Sequence, residues 1–157
     1  MTRTTPLLAS IWRGDLEDVE RQLEAEAAVD ATDSDGRTPL MHAVIDGKLP
    51  LVELLLRHGA TVTVQDKNGH SPLHFAAKGF HLDVAAALVK AGAELDVQDK
   101  FGNTPLSDAV FESRGRGDMI LLLLANGADK EKKNHQGVSP LALARTIANY
   151  DVSRFLE

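Results

Sequence analysis

Apolar residues recur along this chain in short bursts at a nearly constant interval, and each burst is framed by the same polar residues. The clearest copy runs from Asp66 to Asp99. Leu73, Phe75, Ala76 and Ala77 mark a short first helix, a turn around Gly79 to His81 follows, and Val84 to Lys90 form a second helix closed by Gly92. Glycine just past a helix end supplies the left-handed cap, and Gly59, Gly92 and Gly127 all hold that slot. The stretch Glu94 to Gln98 reads as an extended return. Neither helix is long enough to be stable alone, so neighbouring copies must supply the stability.

Five prolines set the register. Pro6, Pro39, Pro72, Pro105 and Pro140 lie 33, 33, 33 and 35 residues apart, each after Thr or Ser and before Leu. A hydroxyl residue followed by proline is a helix start: the side chain caps the first free amides, and proline at the first helical position has no N–H to lose. Before each start but the first stands an Asp-x-x-Gly or Asn-x-x-Gly turn, at Asp33, Asp66, Asp99 and Asn134. A period near 33 predicts a stack of one supersecondary unit rather than a globule with a closed core.

The residues Asp66…Gly69-His70-Ser71-Pro72-Leu73-His74-Phe75-Ala76-Ala77, with His81-Leu82-Asp83-Val84 and Gly92-Ala93, closely resemble the ankyrin repeat, and the resemblance covers almost the entire chain from about Thr5. It implies an all-α solenoid of paired antiparallel helices with β-turn or hairpin fingers lining a concave groove. We expect one domain over 1–157: a cap at 1–33, repeats at 34–66, 67–99 and 100–134, and a cap at 135–157. The ends depart from the pattern. Glu26 stands where other units carry the closing glycine, the first unit's second helix is charged outside Leu16, Val19 and Leu23, and the last unit is expected to stop inside its second helix. Only His74 matches the family's histidine after Pro-Leu. Met41 and Ser107 replace it, which implies weaker local hydrogen bonding there.

Composition narrows the function. With no cysteine among 157 residues, disulfides and thiolate metal sites are excluded and a reducing, cytoplasmic location is expected. Met1 to Ser10 shows no charged stretch leading into an apolar one, so no secretory leader is expected. The longest apolar run, Met119 to Ala125, is too short to span a bilayer. The net charge of −6 is concentrated early, where nine acids between Asp15 and Asp35 face Arg21 alone. Such a surface repels phosphates, so neither nucleic acid nor membrane is expected as a partner.

Catalytic and metal motifs do not assemble. His70 and His74 are four apart, but Ser71-Pro72 places a helix start between them, with His70 in the finger. Asp33-Ser34-Asp35-Gly36 lacks the acids a calcium loop needs at 31 and 42, where Ala31 and His42 stand. Arg116-Gly117-Asp118 matches an integrin-type tripeptide at chance level. There is no phosphate-binding glycine loop and no G-x-S-x-G. No enzyme activity, cofactor or metal is expected; a metal-binding or enzymatic accessory role, or a scaffold without one dedicated partner, is the alternative.

Binding is the stronger expectation. In proteins similar to this one, contacts come from the seventh and eighth positions after the Thr/Ser cap and from the finger turns. Those slots hold Trp12 and Arg13, Ile45 and Asp46, Lys78, and Phe111 and Glu112; the fingers hold Asp35, Arg37, Asn68, His70, Phe101 and Asn103. Large aromatics beside charges are the usual makeup of an interface hot spot. Trp12 equally fits a lid folded on the first unit, and Phe111 fits packing under the two-residue insertion Ser113-Arg114. Arg114 and Arg116 form a basic spot that suits an acidic partner or a solvated loop. The expected partner is a folded protein, met by a chain that is monomeric when unbound.

Overall fold

The computed structural model describes residues 5–147 and 149–157. Residues 1–4, the start of the stretch inspected for a leader, and residue 148, inside the last expected unit, lie outside the described residues. Nine α-helices are present among the described residues, and no strand. They are α1 (Pro6–Arg13), α2 (Leu16–Glu24), α3 (Pro39–Ile45), α4 (Leu49–Arg57), α5 (Pro72–Gly79), α6 (Leu82–Lys90), α7 (Pro105–Glu112), α8 (Asp118–Ala125) and α9 (Pro140–Thr146).

The repeated helix start behaves as its chemistry dictates. The hydroxyls of Thr5, Thr38, Ser71, Thr104 and Ser139 accept from the amides of Leu8, Met41, His74, Ser107 and Ala142, with proline at the first helical position each time. The odd-numbered helices pack side by side as one row and α2, α4, α6 and α8 as a second row behind it. The seam between rows repeats at the same register: Leu40, Leu73 and Leu106, then Ala43, Ala76 and Ala109, meet Val52, Ala85 and Ile120, and Leu55, Leu88 and Leu123, all fully buried. Each fully buried leucine contributes about 2 kcal/mol relative to exposure, and only an adjacent copy provides that burial.

The fingers form their own ladder. Asp66 Oδ1 accepts from the amides of Asn68 and His70, and Asp99 Oδ1 from those of Phe101 and Asn103, so each turn is closed by its own side chain. Main-chain bonds then join finger to finger: Lys67 to Asp35, Lys100 to Asn68, and His135 to Phe101. Glycine is required here on two counts. Gly69 and Gly102 have φ of +79° and +80°, and a Cβ on Gly102 would lie 2.6 Å from the nitrogen of His135.

One local feature differs from the sequence expectation. The last unit has no second α-helix among its described residues; Ser153–Phe155 make one 3₁₀ turn that buries Val152 and Leu156. Bonds between residues three apart, Phe155 to Val152 and Leu156 to Ser153, close this turn. The turn expected around Gly79 to His81 is present: α5 runs through Gly79, and the left-handed position, held by Gly14 and Gly47 in earlier units, belongs to Phe80 at φ 55°. Arg116, from the insertion loop, lays its guanidinium 3.9 Å from the centre of the Phe80 ring. Glu26 adopts φ 59° in the slot where glycine closes the later units.

Candidate functional site

The seventh-position residues Trp12, Ile45, Lys78 and Phe111 lie at or next to the last residue of α1, α3, α5 and α7, one per unit on the same row. Trp12 is 45% exposed, Phe111 70% and Phe101, on its finger, 57%. Ile45 is also exposed. This row and the finger tips are therefore accessible together.

At the first units the row is ordered by a side-chain relay. The indole N–H of Trp12 donates to Nδ1 of His42 at 3.2 Å, and the rings meet edge to face at 5.5 Å. Nε2 of His42 pairs with Asp33 Oδ2 at 2.9 Å, which leaves Nδ1 free to accept from the indole. Trp12 is thus neither a free side chain nor a lid sealed over the first unit: one edge is held and much of the ring stays in solvent. Arg13 pairs with Asp18 at 3.3 Å, and Asp46 with Lys48 at 2.9 Å, so both of these neighbours are engaged within the chain. Asp35 is exposed and its carbonyl accepts from Lys67. Arg37 lies 5.3 Å from the Phe75 ring and 3.5 Å from the Asp66 carboxylate.

The middle of the groove is built on His74. Its Nδ1 accepts from the Ser71 amide at 3.0 Å, closing a capping box, and its Nε2 donates to the main-chain oxygen of Asn103 at 3.0 Å in the next finger. Burial drives the imidazole down to about 4, against the bond to Asn103, so it is neutral at physiological pH. Ser107 forms the equivalent box with Thr104 through longer contacts of 3.3–3.4 Å, and Met41 supplies no side-chain bond, in keeping with the weaker bonding expected there. His70 sits in the finger and His74 in α5, with rings 5.6 Å apart. Burial and then the neighbouring Lys78 ammonium hold His70 below its ordinary range. Lys78 Nζ is 2.7 Å from His70 Nε2 and 3.8 Å from Asp108 Oδ2.

Between α5, α7, α9 and the last two fingers the surface sinks into an open cleft of about 480 Å³. Six of the residues picked by slot line it: His70, Lys78, Phe101, Asn103, Phe111 and Glu112. Asn68 stands on the neighbouring finger, bonded to Lys100, and Arg114 is exposed in the loop after α7, outside this cleft. Asp108 also lines it, a residue the slot rule missed. Its Oδ2 is buried without a hydrogen-bond partner, and burial pushes the carboxyl up to about 7; Lys78 opposes the rise, while Asp99 and Glu112 add to it. A signal was present in the register: the equivalent residues of the other units are Ala9, His42, Phe75 and Leu143, so an acid there is the exception.

Taken together, a two-row stack of capped helix pairs with laddered fingers and an exposed inner row defines a repeat-built interaction module. The sequence model for ankyrin repeats (3 copies) matches residues 7–99 and 61–134, most of the chain, and the chain belongs to that family. No curated protein sequence matches the chain significantly. No described helix is long and apolar enough to cross a membrane. As an ankyrin-repeat protein, the chain carries a module whose general use is protein–protein interaction.

Proposed function

We propose that this chain is a non-enzymatic binding protein that holds a folded protein partner against its inner helix row and finger tips. The single observation that supports this best is the exposed row Trp12, Ile45 and Phe111, one residue per unit in the same register, with Phe101 beside it. Large apolar side chains left in solvent at a repeating position cost free energy unless something covers them, and aromatic anchors of this kind dominate binding at interfaces. The chain acts by occupying its partner, as an inhibitor, an adaptor or an immunity-type protein does.

The test is affinity capture from the native lysate with mass-spectrometric identification, comparing the parent chain with the triple variant Trp12→Ala, Phe101→Ala, Phe111→Ala. The expected result is one protein enriched by the parent and lost with the variant, whose far-ultraviolet circular dichroism and melting are unchanged. Retention of that protein by the correctly folded variant removes the groove as its binding surface.

A further inference from the structure

Asp108 is the one residue of the cleft with a buried oxygen facing no donor at hydrogen-bond distance while an open aromatic surface stands beside it. Its neighbouring charges do not satisfy it. The ammonium of Lys78 is 3.8 Å away, beyond a hydrogen bond, and is instead 2.7 Å from His70 Nε2. The ammonium of Lys100 is bonded to Asn68 and lies 5.0 Å from the centre of the Phe101 ring. Arg116 is engaged on Phe80. Asp99 directs one oxygen to the amides of Phe101 and Asn103. Among the described residues, Asp108 and Glu112 are the carboxylates of the cleft left without a hydrogen-bond donor, and no cation lies over the ring of Phe111, which is 70% exposed. A buried acceptor without a donor is a cost that a fold retains only with a reason.

We infer that the cleft is a socket for an arginine side chain of the partner protein, its guanidinium lying against the Phe111 ring and donating to Asp108 and Glu112. The inference rests on the groove reading above and adds the chemistry of one anchor. Guanidinium fits better than ammonium because it is flat. It stacks on a ring by its face while its edge donates paired hydrogen bonds to a carboxylate. The charge balance favours it too: three carboxylates, Asp99, Asp108 and Glu112, surround one ammonium, Lys78, and the burial-depressed His70 adds no positive charge at neutral pH. The cleft is open, so an incoming side chain needs no rearrangement of the helices.

The probe is Nα-acetyl-arginine N-methylamide, titrated into the ¹⁵N-labelled full chain by NMR at pH 8, with the uncharged isostere Nα-acetyl-citrulline N-methylamide as control. The expected result is saturable shifts centred on the amides of Phe101, Asp108, Phe111 and Glu112, with citrulline and the Asp108→Asn variant each about tenfold weaker. A purely structural role for Asp108 does not move this binding ratio, whatever it does to melting. Should Asp108→Asn fail to fold, Phe111→Ala replaces it, on a side chain mostly in solvent, with the same expected loss. Shifts reproduced by citrulline, left intact in the variant, or centred on another part of the chain overturn the socket. A chain that captures its partner through the aromatic row yet gives no localised arginine response loses the socket and keeps the groove; loss of the groove is read from the alanine variants alone.

Discussion

His74 and Asn103, 29 residues apart in sequence, are joined by a 3.0 Å bond from the imidazole Nε2–H to the main-chain oxygen, tying one unit's helix to the next unit's finger. Because Nδ1 of the same ring accepts from the Ser71 amide, one neutral tautomer serves both contacts, and a proton on Nδ1 breaks the first. The native ring titrates near 4 and the unfolded ring near 6.5, so the unfolded state takes up the proton first as the solution is acidified. Stability from His74 is therefore complete above 6.5 and falls as pH drops toward 4, by at most about 1.4 kcal/mol per pH unit. His74→Ala is expected to cost about 2–4 kcal/mol at pH 7 by leaving the Ser71 amide and the Asn103 carbonyl without partners. Urea melts of parent and variant across pH 4–7 check both, the acid-linked loss attributable to His74 disappearing in the variant.

Asp108 works in the opposite sense. Its native carboxyl titrates near 7 and the unfolded one near 3.8. Its contribution is present at and below pH 3.8 and is lost as pH rises toward 7, when a charge must be held in a buried place. The two groups offset each other over pH 4–7, so the parent stability profile there is flatter than that of either variant. At pH 8, Asp108→Asn is expected to be more stable than the parent by about 1–3 kcal/mol. A melting temperature at pH 8 equal to or below the parent's contradicts the buried-charge account.

The closing slot of the outer helices offers a backbone test. Gly92 has φ +90° with nothing within 4 Å of an added Cβ, so its cost on substitution is purely conformational. Gly92→Ala is expected to destabilise by about 1 kcal/mol. Glu26, at φ 59° in the same slot of the first unit, is expected to gain up to about 1 kcal/mol on change to glycine. Chemical denaturation of the two variants side by side checks the opposite signs.

Phe80 holds the insertion loop. With the Arg116 guanidinium 3.9 Å from its ring, Phe80→Ala is expected to free the loop and speed tryptic cleavage after Arg114 and Arg116. Mass analysis of timed digests under native conditions reads this directly. Cleavage at the parent rate means that the stack does not order the loop.

Much of the fold was legible because its determinants are local. A hydroxyl cap, a proline at the first helical position and an Asx-x-x-Gly turn act within a few residues of themselves, so their 33-residue recurrence announces both the helices and the stack. The row at the ends of the inner helices was legible for the same reason: Trp12, Ile45, Lys78 and Phe111 share one position in the period, at or next to the last residue of α1, α3, α5 and α7. The last unit was misread past α9, because whether Val152 and Leu156 are buried through a helix or a single 3₁₀ turn depends on the surface they must cover.

By itself, then, the sequence determined the repeating unit, its helix starts and turns, and the positions that face outward, since each is specified by contacts within one period. The tertiary structure alone decided what adjacent units do to one another: the bond from His74 to Asn103, the Arg116 ring contact, and the oxygen of Asp108 enclosed beside Phe111. Those depend on which side chains meet across neighbouring copies, and burial and charge separation at such meetings are properties of the packed stack.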